Sequence, residues 1–217
     1  MSRVKNPEKT IDLILNVALN LFIENGYENT TIQDIINNLG GLSKGAIYHH
    51  FKSKEEIFVG VCQRIEDQNA YYFDKIRDDK NKTGLEKIKS MIKSSYENPN
   101  NDAMMAISSK LLRDAKFVNN QIIEIFEVIA PRYIQPMIEQ GVSDGTIKTE
   151  YPKELAEVLI LLLNLWISPM LMKATAAEVR KKLKLFQFMM RRIDIDLIED
   201  NEIDLIVATT ERMLILQ

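Results

Sequence analysis

Cysteine and histidine are scarce in this sequence, and their scarcity excludes two kinds of site. Cys62 is the only cysteine among the 217 residues, so an intrachain disulfide is impossible and a cytoplasmic, reducing compartment is expected. The only two histidines, His49 and His50, are adjacent and would point about 100° apart on a helix. We therefore expect neither a metal site nor another cofactor.

Charge of one sign and long apolar runs are also lacking. The net charge of −3 gives no global basic surface. The most apolar stretch, Leu155 to Met172, contains Glu157 and Pro169, so it predicts a buried helix rather than a membrane span. The first residues lack a small-residue cleavage site, and we expect no signal peptide.

Familiar catalytic motifs are missing as well. The sequence has no glycine-rich phosphate loop, no G-x-S-x-G, no H-E-x-x-H and no Cys/His cluster. A helical enzyme stays open as one alternative, although no residue pattern favours it, and we expect a protein that is not an enzyme.

Apolar residues recur at helical spacing along most of the chain, and no segment shows sustained alternation of period two. The fold class predicted is all-α. Helices are predicted to begin near residues 10, 31, 43, 53, 83, 102, 118, 155, 176 and 202. Pro131 and Pro136 should kink the helix predicted from Val118 to Gln140.

The segment from Thr30 to Phe58 carries the clearest functional pattern. It predicts two short helices around a Gly40-Gly41 turn, followed by the start of another helix. Small, basic and hydroxyl-bearing residues open the second of these helices, as in helix-turn-helix proteins that insert a helix into a DNA groove. Between Thr30 and Lys54 there are three lysines and one aspartate, a local net charge of +2 that favours phosphate.

The motif A-x-x-L-F-x-x-x-G-Y-x-x-T-T-I-x-D-I stands at Ala18 to Ile35, and L-S-K-G-A-I-Y-H-H-F-K-S-K-E-E-I-F stands at Leu42 to Phe58. Together they resemble the DNA-binding domain of TetR-family transcriptional regulators. The turn before Ser43 is one residue longer than the family's usual turn. The resemblance implies an N-terminal helix-turn-helix domain, residues 1–54, and a helical ligand-binding and dimerisation domain, residues 55–217.

The same resemblance implies a homodimer that binds a palindromic double-stranded DNA operator and releases it on binding a small-molecule effector. Residues at helix starts and on the recognition helix are then expected to contact phosphates or base edges. The candidates for phosphate are Thr31, Tyr48, His49, Lys52 and Lys54, and those for base edges are Ser43, Lys44, Gly45 and Ala46.

Nine of the ten methionines lie in the second domain, and together with several aromatic residues there they have two interpretations. They either line an adaptable apolar pocket for the effector or belong to an ordinary core. The candidate ligand-binding residues are Met91, Tyr96, Met104, Met105, Phe126, Tyr133, Met137, Trp166 and Met170.

Two late helices predict the dimer interface. The helix from Leu155 to Met172 is apolar on all faces, and the next helix has apolar residues at heptad-like spacing. A second copy would cover one face of each, unless the first is simply the central helix of one bundle. The candidate dimerisation residues are Leu155, Leu159, Leu162, Trp166, Val179, Leu183, Phe186 and Met190.

The sequence therefore predicts a ligand-responsive transcriptional regulator, most simply a repressor. An activator or a nucleoid-type DNA-binding protein remains the other alternative, because a helix-turn-helix motif does not distinguish a repressor from these.

Overall fold

The computed structural model describes residues 7–41, 44–97, 115–168 and 174–215. Every regular element in these residues is helical, which confirms the predicted all-α class. The backbone contacts form two compact units: the described part of the first ends at Ala70, and the second comprises the described residues from Tyr71 onward. None of the described helices is both long and apolar enough to cross a lipid bilayer.

Four helices begin in the described part of the first unit. They are α1 (Pro7–Asn25), α2 (Ile32–Asn37), α3 (Lys44–His50) and α4 (Lys54–Arg77). Ile14, Phe22, Ile35, Ile47 and Ile57 are fully buried and place one apolar side chain or more from each helix in a common core. Since α4 is continuous from Lys54 to Arg77, it starts in the first unit and ends in the second.

The second unit is a helical bundle. Its helices are α5 (Gly84–Glu97), α6 (Ala115–Glu124), α7 (Gln135–Asp144), α8 (Pro152–Leu161), α9 (Ala176–Arg192) and α10 (Asp200–Ile215). Two further segments, π1 (Ile125–Ile134) and π2 (Leu162–Trp166), have π-helical hydrogen bonding. The predicted helix near residues 102–115 lies outside the described residues.

The segment around Pro131 differs from the single kinked helix expected between Val118 and Gln140. α6, π1 and α7 follow one another without a break, and Gln135 donates its backbone N–H to the carbonyl of Ala130, five residues earlier. Proline has no N–H and clashes with the carbonyl four residues before it in an α-helix, so a wider turn accommodates Pro131.

α9 and α10 are joined by opposite charges as well as by their apolar core. Arg180 contacts Asp204 at 2.6 Å, and Lys184 contacts Asp200 at 2.7 Å. Gln187 is buried and donates to the carbonyl of Ile198 at 2.9 Å. The inner face of α9 is therefore held by its own chain.

Candidate nucleic-acid interface

An aromatic cluster fixes the helices of the first unit. The rings of Phe22, Tyr27 and Phe58 lie 5.1–6.3 Å apart in tilted or edge-on pairs. Thr30 is fully buried, and its hydroxyl lies 2.9 Å from the carbonyl of Gly26 and 3.2 Å from that of Leu21. This threonine closes the turn after α1 and sets where α2 begins.

Thr31 caps α2. Its hydroxyl oxygen accepts from the backbone N–H of Asp34 at 3.1 Å, and the Asp34 carboxylate accepts from the backbone N–H of Thr31 at 2.8 Å. A hydrogen bond of 2.6 Å from the Thr31 hydroxyl to the Asp34 carboxylate, followed by that backbone bond, holds the pKa of Asp34 below its usual value. Thr31 is exposed, so its side chain lies at the surface while its backbone N–H is already bound within the capping box.

The turn between α2 and α3 needs its two glycines. Gly40 has φ of +59° and Gly41 has φ of +104°, a region where residues with a Cβ are strained. Leu39 is buried just before them and anchors the turn to the core. Leu42 and Ser43, including the candidate base contact Ser43, lie outside the described residues.

α3 presents a polar face and buries an apolar one. Ile47 is fully buried, whereas Lys44, Gly45 and His49 are exposed and Tyr48 is 44% exposed. The Lys44 ammonium lies 5.9 Å from the Tyr48 ring centroid. Four of the predicted DNA contacts are thus at the surface of one short helix, while the side chain of Ala46 lies outside the described residues.

The start of α4 supplies two more predicted contacts, and they differ. Lys52 has an exposed side chain, and its backbone N–H donates to the Glu56 carboxylate at 2.7 Å. The Lys54 ammonium instead donates to the carbonyl of Tyr27 at 2.8 Å and lies 4.1 Å from the centre of that ring. Lys54 therefore ties α4 to the turn after α1, in addition to any contact with DNA.

The Tyr27 hydroxyl sits beside an acidic residue. Burial, together with the nearby Glu55 carboxylate, raises the pKa of Tyr27 to about 12. The same neighbourhood lowers the pKa of Glu55, first through a backbone hydrogen bond and next through Ser53. Tyr27 thus stays neutral, and its ring and carbonyl are both occupied in binding Lys54.

The predicted ligand-binding residues occupy different environments in the second unit. Met91, Tyr133 and Met137 are buried in its core, which agrees with the alternative that they are ordinary core residues. Phe126 is 41% exposed, and Trp166 is half-buried. Met104, Met105 and Met170 lie outside the described residues.

One groove lies between α5 and α10, with a cavity volume of about 110 Å³. Among the described residues that line it, Tyr96 is the only one predicted to bind a ligand. Burial raises the pKa of the Tyr96 hydroxyl to about 12. Pockets for drug-sized molecules are roughly 300–1,000 Å³, so this groove is too small for such a ligand.

Five of the predicted dimerisation residues share deep burial within a single chain: Leu159, Val179, Leu183, Phe186 and Met190. Heptad-like spacing identified an apolar face correctly, but that face of α9 packs against its own chain. A side chain with almost no exposed surface has none left for a second copy. Leu155, Leu162 and Trp166 are half-buried.

Other apolar side chains of the same two helices remain at the surface. Val158 on α8 is 46% exposed, and Leu185 and Phe188 on α9 are 48% and 54% exposed. The Lys182 ammonium donates to the carbonyl of Trp166 at 2.6 Å, which brings the end of π2 close to α9. These exposed residues were missed because apolar spacing does not tell an inner face from an outer one.

Comparison with known proteins addresses the first unit most directly. Residues 14–61 match the family model of bacterial regulatory proteins, tetR family. The transcriptional repressor KstR2 of Mycolicibacterium smegmatis is 34% identical over 91 residues, which are 42% of this chain and 43% of that protein. The chain thus spans less than half the length of this relative.

Two comparisons extend over most of the chain. The transcriptional repressor AcnR of Corynebacterium glutamicum is 25% identical over 194 residues, covering 87% of this chain and 96% of that protein. The crystal structure of a regulator from Pectobacterium atrosepticum superposes with a TM-score of 0.63 at 21% identity, covering 88% of this chain and 97% of the other. This structural likeness establishes a shared fold.

Proposed function

The chain belongs to the TetR family of bacterial regulatory proteins, and from this premise we propose that it is a transcriptional repressor that binds an operator in double-stranded DNA. The exposed face of α3 is the observation that carries the proposal. Ile47 anchors this helix, so Lys44, Tyr48 and His49 are held at a rigid surface rather than on a loose loop. Such a helix enters the major groove in helix-turn-helix proteins.

The chemistry of this face divides into two roles. Lys44 reaches guanine edges or phosphate, and the neighbouring Gly45 lets the backbone approach DNA closely. Tyr48, His49 and Lys52 offer hydrogen-bond donors to phosphates on either side of the groove. Phosphate contacts position the protein, and contacts to bases select the sequence.

We propose a homodimer formed through the outward faces of α8 and α9. The exposed apolar residues on these faces supply apolar surface for the interface; they are Val158, Leu185 and Phe188. In a two-fold dimer α8 of one copy meets α9 of the other. This symmetry predicts a palindromic operator.

We further propose that a small molecule bound in the second unit releases the operator. Relatives named as repressors support repression over activation or nucleoid binding. An effector needs only a few kcal/mol of preference for the non-binding state to empty the operator. A protein that reads chromosomal DNA works in the bacterial cytoplasm, which is the compartment that the single cysteine predicted.

Selection of duplexes from a random pool by the purified full chain tests the proposal. We expect a palindromic sequence with half-sites about one helical turn apart. Lys44→Ala should weaken binding of the selected duplex by about 1–3 kcal/mol. Lys148→Ala, which removes another exposed lysine from the second unit, is the charge-matched control and should change affinity little.

Failure to enrich any duplex would overturn the proposal. Transcription in vitro from a promoter overlapping the selected site then separates repression from activation. Coating of unrelated DNA without a preferred site would favour a nucleoid role instead.

A further inference from the structure

The carboxyl end of α4 is bound to π1 by a cluster of charged and aromatic side chains, which we call the α4 clamp: Asp74 and Arg77 of α4, with Arg132 and Tyr133 of π1. Arg132 contacts Asp74 at 2.9 Å, and Arg77 contacts the same carboxylate at 2.8 Å. The Arg77 guanidinium also donates to the carbonyl of Arg132 at 3.4 Å. All four residues belong to the second unit.

The ring of Tyr133 is the apolar surface against which the two arginines of the clamp pack. This ring is almost fully buried, and the guanidinium carbons of Arg132 and Arg77 lie 5.1 Å and 5.6 Å from its centre. Phe73 of α4 packs edge-on against the same ring at 5.6 Å. The contacts between α4 and π1 therefore combine charge with burial, and they depend on where π1 directs two consecutive residues, Arg132 and Tyr133.

A buried lysine holds the backbone of α4 at the same end. Lys87 is 5% exposed, and its ammonium donates to the carbonyl of Arg77, the last residue of α4, at 2.6 Å. It also donates to the side-chain oxygen of Gln140 on α7, and Gln140 donates to the carbonyl of Lys82. A cation at the carboxyl end of a helix stabilises it. The end of α4 is thus fixed to α5 and α7 as well as to π1.

π1 is the element of this cluster whose hydrogen bonds depart from the α-helical register. Its N–H groups bond five residues back, as at Gln135 to Ala130, because Pro131 lacks an N–H and cannot sit in a regular α-helix without strain. Conversion to α-helical bonding would rotate the residues that follow by about one position, or about 100°. Arg132 and Tyr133 would then leave Asp74 and Phe73.

We propose that π1 is a register switch that couples the effector state of the second unit to α4 through the Asp74–Arg132 contact. The π-helical register, with the clamp closed, is the operator-binding state. A closed clamp fixes α4 and so preorganises the helix-turn-helix unit at its other end, which lowers the ordering cost of binding. The inference rests on the proposed function, because only an operator-binding protein would use α4 in this way.

Reciprocity supplies a test that needs no effector. If the closed clamp favours operator binding, operator binding must favour the closed clamp by the same factor. Hydrogen exchange of the amides in residues 125–135 would be measured on the full chain with and without the duplex selected by the wild-type protein. We expect the duplex to slow this exchange by at least about fivefold, which corresponds to a coupling at the small end of the usual range.

Two variants and two matched controls locate the coupling. Arg132→Gln should still fold but lose the slowing of exchange. Arg180→Gln removes an arginine of similar exposure from the Arg180–Asp204 pair and should keep it. Pro131→Ala restores an N–H and favours the α register, so operator affinity should fall about tenfold. Pro152→Ala removes a proline at the first position of α8, where its missing N–H costs little, and should leave affinity unchanged.

The outcomes are separable. If no duplex is selected, the proposed function and this inference both fail. The switch alone is overturned if the duplex binds without slowing amide exchange in π1. It is also overturned if the duplex slows this exchange in Arg132→Gln as much as in the wild type. Unchanged operator affinity in Pro131→Ala would also overturn it, since that variant acts directly on the register.

Discussion

Gly84 and Gly141 touch backbone to backbone. A Cβ placed on Gly84 would lie 2.1 Å from the amide nitrogen of Gly141 and 2.2 Å from the carbonyl oxygen of Met137. The first turn of α5 is therefore pressed against α7 at a distance that only glycine permits, and Asp144 adds a hydrogen bond of 2.8 Å from the Gly84 N–H.

This contact predicts that Gly84→Ala will lower the free energy of unfolding by about 3 kcal/mol, because backbone atoms cannot move aside as a side chain can. Denaturation in urea would measure the loss. Gly145→Ala is the control: its Cβ meets nothing within 4 Å, and only the φ of +81° opposes it, so its cost should stay near 1–2 kcal/mol. Equal costs for the two variants would contradict the close contact.

Substitutions of Lys52 and Lys54 should distinguish an effect on DNA binding alone from an effect on both DNA binding and stability. Lys52→Ala removes an exposed cation, so it should reduce the salt dependence of duplex binding by about one unit of slope and leave the melting temperature unchanged. Lys54→Ala also removes the contacts with Tyr27, so it should lower stability by about 1 kcal/mol. Thermal melts beside binding titrations at several salt concentrations make the comparison. A Lys54→Ala protein as stable as the wild type would show that the Tyr27 contact contributes nothing.

Glu124 predicts a pH effect on stability. Burial raises the pKa of its carboxyl above the usual value, so the folded chain keeps this proton to a higher pH than the unfolded chain does. Stability is therefore lost as pH rises from the unfolded pKa, about 4.3, through the raised folded value. Glu124→Gln should melt at a higher temperature than the wild type at pH 7, with the difference disappearing below about pH 4.

The neighbouring Glu127 is exposed and provides the matched control. Glu127→Gln makes the same chemical change one turn away and should show no such pH-dependent gain. A gain of the same size in both variants would mean that net charge, rather than burial of Glu124, is responsible.

Phe188 and Val179 test which face of α9 meets a second copy. Phe188→Glu places a charge on the outward face, so the chain should stay folded and become monomeric. Val179→Asp buries an unpaired charge in the core and should unfold the second unit at a cost of several kcal/mol. Sedimentation with circular dichroism distinguishes the two results. If Phe188→Glu stays a folded dimer, the outward face of α9 is not part of the interface.

The helix starts were predictable from local chemistry alone. Helices were expected to begin near residues 31 and 53, and the hydroxyls of Thr31 and Ser53 accept backbone N–H bonds from residues three positions later. Gly26 directly follows the last residue of α1 and has φ of +80°, as glycines that end helices commonly do. These signals depend on neighbours within one turn, so one sequence contains all the information they need.

Contacts between residues far apart in the chain were harder to predict from the sequence. The sequence identified Lys54 as a surface cation, but its bond to Tyr27 spans 27 positions and follows only from the packing of α1 against α4. Pro131 marked a disturbed helix, yet the choice between a kink and a π-helical register depends on what surrounds it. The stripe through Val179 and Leu183 was recognised as apolar, but periodicity does not say whether the same chain or another covers it.

Trp166 gives this protein an optical probe that needs no label. It is the only tryptophan in the sequence, and it is the last residue of π2, where its carbonyl accepts from Lys182 and its ring lies 5.7 Å from the same ammonium. Its fluorescence therefore reports on the junction between π2 and α9 alone. Titrating candidate small molecules while recording that emission would reveal rearrangement there before any DNA is added.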